Sequence, residues 1–99
     1  MRENHYQASL IKRIEARFPG CFVEKADAAL IQGIPDLTVY FPGGFWAKLE
    51  VKASRNAEHQ PNQDFYVDKF SKMSYAAFIY PENEDAVLDE LEQVLQARR

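Results

Sequence analysis

The sequence predicts one α/β domain of the α+β type spanning residues 1–99, in which helices flank a mixed sheet. Three patterns predict it. Apolar residues recur every four positions over 3–18, two β-rich runs are separated by a Pro-Gly-Gly turn, and an apolar run at 75–80 precedes an amphipathic stretch. The predicted order of elements is α-β-β-β-α-β-α, with an extra helix at the C-terminal end.

The composition excludes several classes of protein. Apolar residues make up 46% of the chain, which argues against disorder. The net charge of -3 argues against a nucleic-acid surface covering the whole domain, although a local basic patch can still bind phosphates. Cys21 is the one cysteine, so neither an internal disulfide nor a cysteine metal site is expected.

No targeting or membrane segment is expected. The N-terminus is polar and charged where a signal peptide needs an apolar core. No apolar run approaches the roughly 20 residues of a membrane span. The sequence therefore predicts a cytoplasmic protein with no membrane partner.

The first helix is predicted over residues 3–18, because Tyr6, Leu10, Ile14 and Phe18 lie on one face. The Pro-Gly pair at 19–20 ends it. A short strand is expected at 21–25, and 26–32 is interpreted as a loop that can hold a helical turn.

A β-hairpin is predicted over about 35–41 and 45–52, joined by the turn at 42–44. Leu37, Val39 and Phe41 alternate with polar or larger residues, as in a strand whose faces differ. The polar stretch at 53–60 is expected to be a loop.

The second helix is predicted to begin at Pro61, whose missing N–H suits a first helical turn, and to run to about Lys72. It is expected to bury Phe65 or Tyr66, together with Phe70 and Met73. A strand at 75–80 follows.

The last helix is predicted to begin after Asn83, a good N-cap residue. Glu84 and Asp85 would favour its positive end. Its apolar stripe comprises Val87, Leu88, Leu91, Val94 and Leu95.

The predicted hairpin places three chemically important residues together. The start of one antiparallel strand lies beside the end of the next, so Asp36 and Glu50 are expected to meet. Lys52 projects from the same strand face as Glu50. Two carboxylates can hold a Mg²⁺ ion, and an ammonium group beside them can orient a water for attack on a phosphodiester. The alternative is an ordinary surface strand with an ion pair.

Gly33-Ile34-Pro35-Asp36 followed by Leu49-Glu50-Val51-Lys52 resembles the motif of PD-(D/E)XK nucleases. The order of elements is similar to the restriction-endonuclease-like αβββαβ core of that superfamily. The chain most resembles small, stand-alone VRR-NUC domains of phages, which are related to Holliday-junction resolvases. The resemblance implies Mg²⁺- or Mn²⁺-dependent cleavage of branched DNA by a homodimer, in a bacterial or phage-infected cell.

The resemblance also implies further site residues. Asp36, Glu50 and the Val51 carbonyl would bind the metal, with a residue of the first helix. Glu3 is the acidic candidate for that position, and Gln7, one turn further in, is the alternative. Glu3 could instead only favour the helix dipole.

A glutamine near the start of the second helix is expected to contact the scissile phosphate. Gln63 fits this position and Gln60 competes with it; local capping is the alternative role. Possible DNA contacts are Lys25, Arg55 and Gln60, each of which could equally be a solvated surface residue. His59 could also touch DNA from the loop, or simply be exposed.

Two other functions remain open from the sequence. One is a nuclease of the same fold acting on linear or flap DNA, in phage replication or packaging. The other is a catalytically silent relative that binds nucleic acid or a protein partner. Cleavage assays with and without a divalent metal separate these possibilities.

Overall fold

A computed structural model describes residues 2–27 and 29–98. The elements are α1 (Glu3–Arg17), β1 (Phe22–Lys25), β2 (Leu37–Tyr40), β3 (Trp46–Val51), α2 (Gln63–Ser71), β4 (Tyr75–Ile79) and α3 (Glu84–Ala97). They form an α+β fold with a four-stranded mixed sheet. The predicted fold class and order of elements are therefore confirmed. None of the helices in these two ranges is long and apolar enough to cross a bilayer.

The strands are ordered β1-β2-β3-β4. The first two pairings are antiparallel, with Leu37 of β2 opposite Leu49 of β3. β3 and β4 are parallel, with Glu50 opposite Phe78. A parallel pair needs a crossover, and α2 supplies it. The predicted loop at 26–32 holds turns at 29–30 and at 32, and Ala28 lies outside the described residues.

The core lies between one face of the sheet and the helices α1 and α3. Side chains alternate along β3, so Ala47, Leu49 and Val51 enter this core while Glu50 projects from the opposite face. α2 packs over β3 and β4, and the ring of Phe70 meets that of Trp46 at 6.1 Å. The core residues from the helices are Tyr6, Leu10, Ile14, Val87, Leu88 and Leu91.

Glu84 has a different role from the predicted one. It is only 8% exposed, and it joins α3 to α1 rather than merely facing the helix dipole. Its carboxylate accepts hydrogen bonds from Arg13 Nε at 2.6 Å and Nη2 at 2.8 Å, and from the Tyr6 hydroxyl at 2.9 Å. The hydrogen bonds from Arg13 hold the pKa of Glu84 below its ordinary value. This contact fixes the helix that begins at Glu3.

Two predictions about α2 are wrong. The helix begins at Gln63 rather than Pro61, because Asn62 has a left-handed φ of 72°. The predicted burial of Met73 is wrong, since it is 64% exposed. Of the two alternatives Phe65 and Tyr66, Phe65 is 61% exposed and Tyr66 is half-buried, as is Phe70, while Val67 is the buried residue of this helix. The sequence pattern overestimated the buried face because α2 is short and covers only part of the sheet.

Asn83 lies at the predicted N-cap position of α3, but its side chain makes no capping hydrogen bond to the helix. Its amide instead accepts from the Tyr80 N–H at 2.8 Å and donates to the Phe78 carbonyl at 3.0 Å. It therefore stabilises the turn that leaves β4.

Candidate metal centre

The hairpin register places Asp36 beside Glu50. Leu37 pairs with Leu49, so the residue before β2 lies next to the fifth residue of β3. Asp36 Oδ2 accepts a hydrogen bond of 2.8 Å from the Val51 N–H, which fixes the Asp36 carboxylate against β3. This register brings the two carboxyl groups to the same end of the hairpin. The predicted meeting of these two residues is present in the structure.

Glu50 is a buried acid whose environment favours the protonated form. Its side chain is 1% exposed, and burial, together with the hydrogen bond and charge of Asp36, raises its pKa to about 9. The positive charge of Lys52 opposes this rise. At neutral pH the metal-free Glu50 carboxyl therefore keeps its proton.

One oxygen of this pair lacks a partner. Among the described residues, no hydrogen-bond partner reaches the buried Oε1 of Glu50. An unpaired buried oxygen is costly, and it is relieved either by a proton shared with Asp36 or by a bound cation. Oxygen donors are the ligands that Mg²⁺ and Mn²⁺ prefer, so the residues present fit such an ion.

Lys52 follows β3 directly and is 4% exposed. Its backbone N–H donates to the Ile79 carbonyl at 2.9 Å, which continues the pairing with β4. Its Nζ donates to the Glu58 carbonyl, also at 2.9 Å. The ammonium group is therefore held beside the carboxylate pair with two further N–H donors to offer.

The first helix contributes an acid near this pair. Partial burial raises the pKa of Glu3; the charge of Asp36 raises it further, and that of Lys52 lowers it. Glu3 therefore lies within electrostatic range of the pair, whereas Gln7 is half-buried one turn along α1. Within residues 2–27 and 29–98, however, no three His, Cys, Asp or Glu side chains are arranged to hold one metal ion. Glu3 is thus near the pair without occupying a ligand position.

The remaining predicted residues lie around the site. Gln63 Oε1 accepts a hydrogen bond of 2.8 Å from the Gln60 N–H, which is the local capping role considered as the alternative. Lys25 is exposed at the end of β1. The N–H of the next residue, Ala26, donates to the Asp36 carbonyl at 2.8 Å. Arg55 is exposed in the loop after β3, and its backbone N–H donates to Glu82 at 3.2 Å.

A histidine and an aspartate near the site form a contact that the sequence did not predict. His59 Nδ1 lies 2.7 Å from Asp64 Oδ1. The His59 ring stacks on Phe78, with ring centroids 4.2 Å apart. Phe78 is the β4 residue opposite Glu50. The sequence analysis considered His59 but not Asp64. The feature that could have identified Asp64 is its place in the first turn of α2, five residues after His59.

No protein-family model, curated protein or solved structure matches this chain. The resemblance to PD-(D/E)XK nucleases therefore stays a prediction from the motif.

Proposed function

We propose that the protein is a divalent-metal-dependent endonuclease that hydrolyses DNA phosphodiester bonds at Asp36, Glu50 and Lys52. The observation that supports this most strongly is the buried Glu50, which has an unpaired oxygen, a raised pKa and Asp36 beside it. A structural surface pair would leave both groups in water at little energetic cost. A buried carboxyl with a second carboxyl beside it is typical of a site that binds a cation.

The proposed metal ligands are the carboxylates of Asp36 and Glu50 and the backbone carbonyl of Val51. We assign to Glu3 the role of adding negative charge near the ion, and Gln7 is the neutral alternative. A bound Mg²⁺ or Mn²⁺ would supply a water of lowered pKa and polarise the phosphodiester.

The chain's own residues orient the reactants. The Val51 N–H holds the Asp36 carboxylate in place. The Glu58 carbonyl holds Lys52 Nζ, whose remaining N–H groups can donate to the attacking water and to a phosphate oxygen. Because the ammonium is nearly excluded from solvent, its charge stabilises the transition state more strongly than an exposed lysine would.

The proposed fold is the restriction-endonuclease-like core, for which the three-stranded antiparallel unit, the α2 crossover and the parallel β4 give support. Branched DNA is the proposed substrate, on the strength of the motif's resemblance to junction resolvases. Lys25 and Arg55 are the proposed backbone contacts. With a net charge of -3, such contacts must be local, so binding should weaken steeply with salt.

A homodimer is part of the proposal, because a 99-residue chain offers little surface to a branched duplex and resolution requires two cuts. Light scattering with and without a four-way junction tests it. A mass equal to one chain in both conditions would refute the dimer while leaving the chemistry intact.

The nuclease activity is tested by incubating four-way junctions, flaps and linear duplexes with Mg²⁺, Mn²⁺ or EDTA. We expect metal-dependent cleavage that favours the junction. Asp36→Asn should abolish it while still accepting the Val51 N–H bond. Asp68→Asn, which replaces an exposed carboxylate on α2, is the matched control and should cleave normally.

Two outcomes would change the proposal. Preferential cleavage of flaps or linear duplex would keep the chemistry and replace the substrate. Binding of DNA without cleavage in any metal would identify a silent relative, and the nuclease proposal would be wrong.

A further inference from the structure

The loop between β3 and α2 places an imidazole over the sheet face that carries Glu50. Glu58 accepts the hydrogen bond from Lys52 Nζ, and His59 is the next residue. The His59 ring stacks on Phe78 at 4.2 Å, with an interplanar angle of 15°. Phe78 pairs with Glu50 across strands about 4.8 Å apart. The imidazole is therefore confined to the neighbourhood of the lysine and the carboxylate pair.

Asp64 determines which ring nitrogen is available. Its Oδ1 lies 2.7 Å from His59 Nδ1, so in the neutral imidazole Nδ1 is the donor and Nε2 the acceptor. A carboxylate that binds Nδ1–H both orients the ring and stabilises the imidazolium formed when Nε2 takes a proton. The His59 side chain is 39% exposed, so water and a substrate can reach it.

We propose that His59, oriented by Asp64, is the general base that takes a proton from the attacking water. This inference rests on the proposed nuclease function. Asp36 and Glu50 are assigned to the metal and Lys52 is a cation, so none of these three is suited to accept that proton. His59 follows Glu58, whose carbonyl binds Lys52 Nζ, and Asp64 binds Nδ1 and leaves Nε2 to act as the base; Asp64 is its positioning residue.

The proposed step balances without a further reagent. A water oriented by Lys52 attacks the phosphorus, and its proton passes to His59 Nε2. The new P–O bond forms as the bond to the leaving sugar oxygen breaks, and that oxygen takes a proton from solvent. The imidazolium then returns its proton to solvent, which restores the neutral ring.

The alternative role of the His59–Asp64 contact is structural, namely to hold the loop against the sheet. Stacking on Phe78 and the bond to Asp64 would serve that purpose without any chemistry. Asp64 on α2 contacts the ring directly, whereas Lys52 binds the backbone carbonyl of Glu58 and Glu50 lies opposite Phe78, on which the ring stacks. A test must therefore separate proton transfer from loop packing.

The test is single-turnover cleavage of a four-way junction by His59→Ala at saturating Mg²⁺. We expect a loss of about 100-fold or more, the range that general base catalysis supplies. Added imidazoles should restore the rate, and the restored rate should rise with the basicity of the imidazole. His5→Ala, which removes the other histidine from an exposed position on α1, should cleave like wild type.

Asp64→Asn should also slow cleavage, by roughly 10-fold or more, because the neutral amide no longer stabilises the imidazolium and can hold the ring in the wrong tautomer. Asp68→Asn on the same helix is its control. Far-UV circular dichroism and Mn²⁺ binding should be unchanged in all four variants. If His59→Ala does not fold, His59→Gln replaces it, because its amide can still bind Asp64. This variant should show the same loss of cleavage rate, and no imidazoles are added to it.

The outcomes are distinguishable from failure of the nuclease proposal. If wild type cleaves and the His59 variant cleaves equally well, the base is not His59. A loss that imidazoles do not restore, or restore regardless of their basicity, would indicate loop packing and overturn the inference. If wild type itself does not cleave, the proposed function is wrong and the inference falls with it.

Discussion

Replacing Glu50 with glutamine should change how the stability of the metal-free protein depends on pH. Glu50 has an ordinary pKa of 4.5 and a folded-state pKa of about 9. Between these values the folded chain keeps a proton that the unfolded chain releases, so stability falls as pH rises through this window. Glutamine is neutral throughout and carries no such dependence.

The magnitude follows from the two pKa values. At pH 7 the unfolded Glu50 lies about 2.5 pH units above its ordinary pKa, and each unit is worth about 1.4 kcal/mol. The wild type should therefore lose roughly 3 kcal/mol of folding free energy between acidic and neutral pH that Glu50→Gln does not lose. Because the Glu50 side chain is 1% exposed, solvent screens this effect only weakly.

The assay is urea unfolding in EDTA, followed by the fluorescence of Trp46, for wild type and Glu50→Gln across this pH range. Glu15→Gln, an exposed replacement on α1, is the control and should follow wild type. Saturating Mg²⁺ should restore the stability of wild type at neutral pH and leave Glu50→Gln unchanged. Parallel curves for the two proteins in EDTA would refute the buried protonated carboxyl, and equal stabilisation of both by Mg²⁺ would refute its role as ligand.

Three further predictions concern the surroundings of the site. Glu84→Gln should destabilise the protein by about 2 kcal/mol in urea unfolding at neutral pH, because it weakens the charged hydrogen bonds from Arg13. The pKa of Glu84 is lowered from 4.5, so the difference in stability between wild type and variant should shrink below pH 4.5 and vanish once pH falls through the lowered pKa. Gly33→Ala should lower the free energy of unfolding by about 1–3 kcal/mol, because Gly33 has a φ of +88° and the new Cβ would lie 2.6 Å from Asn62 Cβ. An unchanged midpoint of urea unfolding would contradict this prediction. Glu3→Gln should weaken Mn²⁺ binding measured by calorimetry, by less than Asp36→Asn does, and equal losses would make Glu3 a direct ligand.

The hairpin and the pairing of its two acids could be predicted because they depend on local signals. A Pro-Gly-Gly turn and strands of known length determine which residues face each other, so Asp36 and Glu50 could be matched from spacing alone. The helices could be placed from periodicity in the same way. The observed start of α2 differs from the predicted one because the left-handed φ of Asn62 ends the turn before the helix.

The parts that could not be predicted depend on contacts between distant segments. Glu84 and Arg13 are 71 positions apart, and nothing in either local sequence indicates that they meet. The stacking of His59 on Phe78 depends on how the loop folds back over β4, which composition does not encode. The burial of α2 was misjudged for the same reason, since a helix pattern does not show how much of its face the sheet will cover.

The central claim is tested most directly by cleavage of a four-way junction in Mg²⁺ by wild type and Lys52→Met. Methionine keeps the apolar length of the buried side chain and removes the charge. We expect wild type to cleave in Mg²⁺ and not in EDTA, Lys52→Met to show no cleavage with its fold intact, and Lys72→Met, an exposed control, to cleave normally. Cleavage by Lys52→Met at the wild-type rate, or wild-type cleavage that persists in EDTA, would contradict a metal-dependent centre built on Asp36, Glu50 and Lys52.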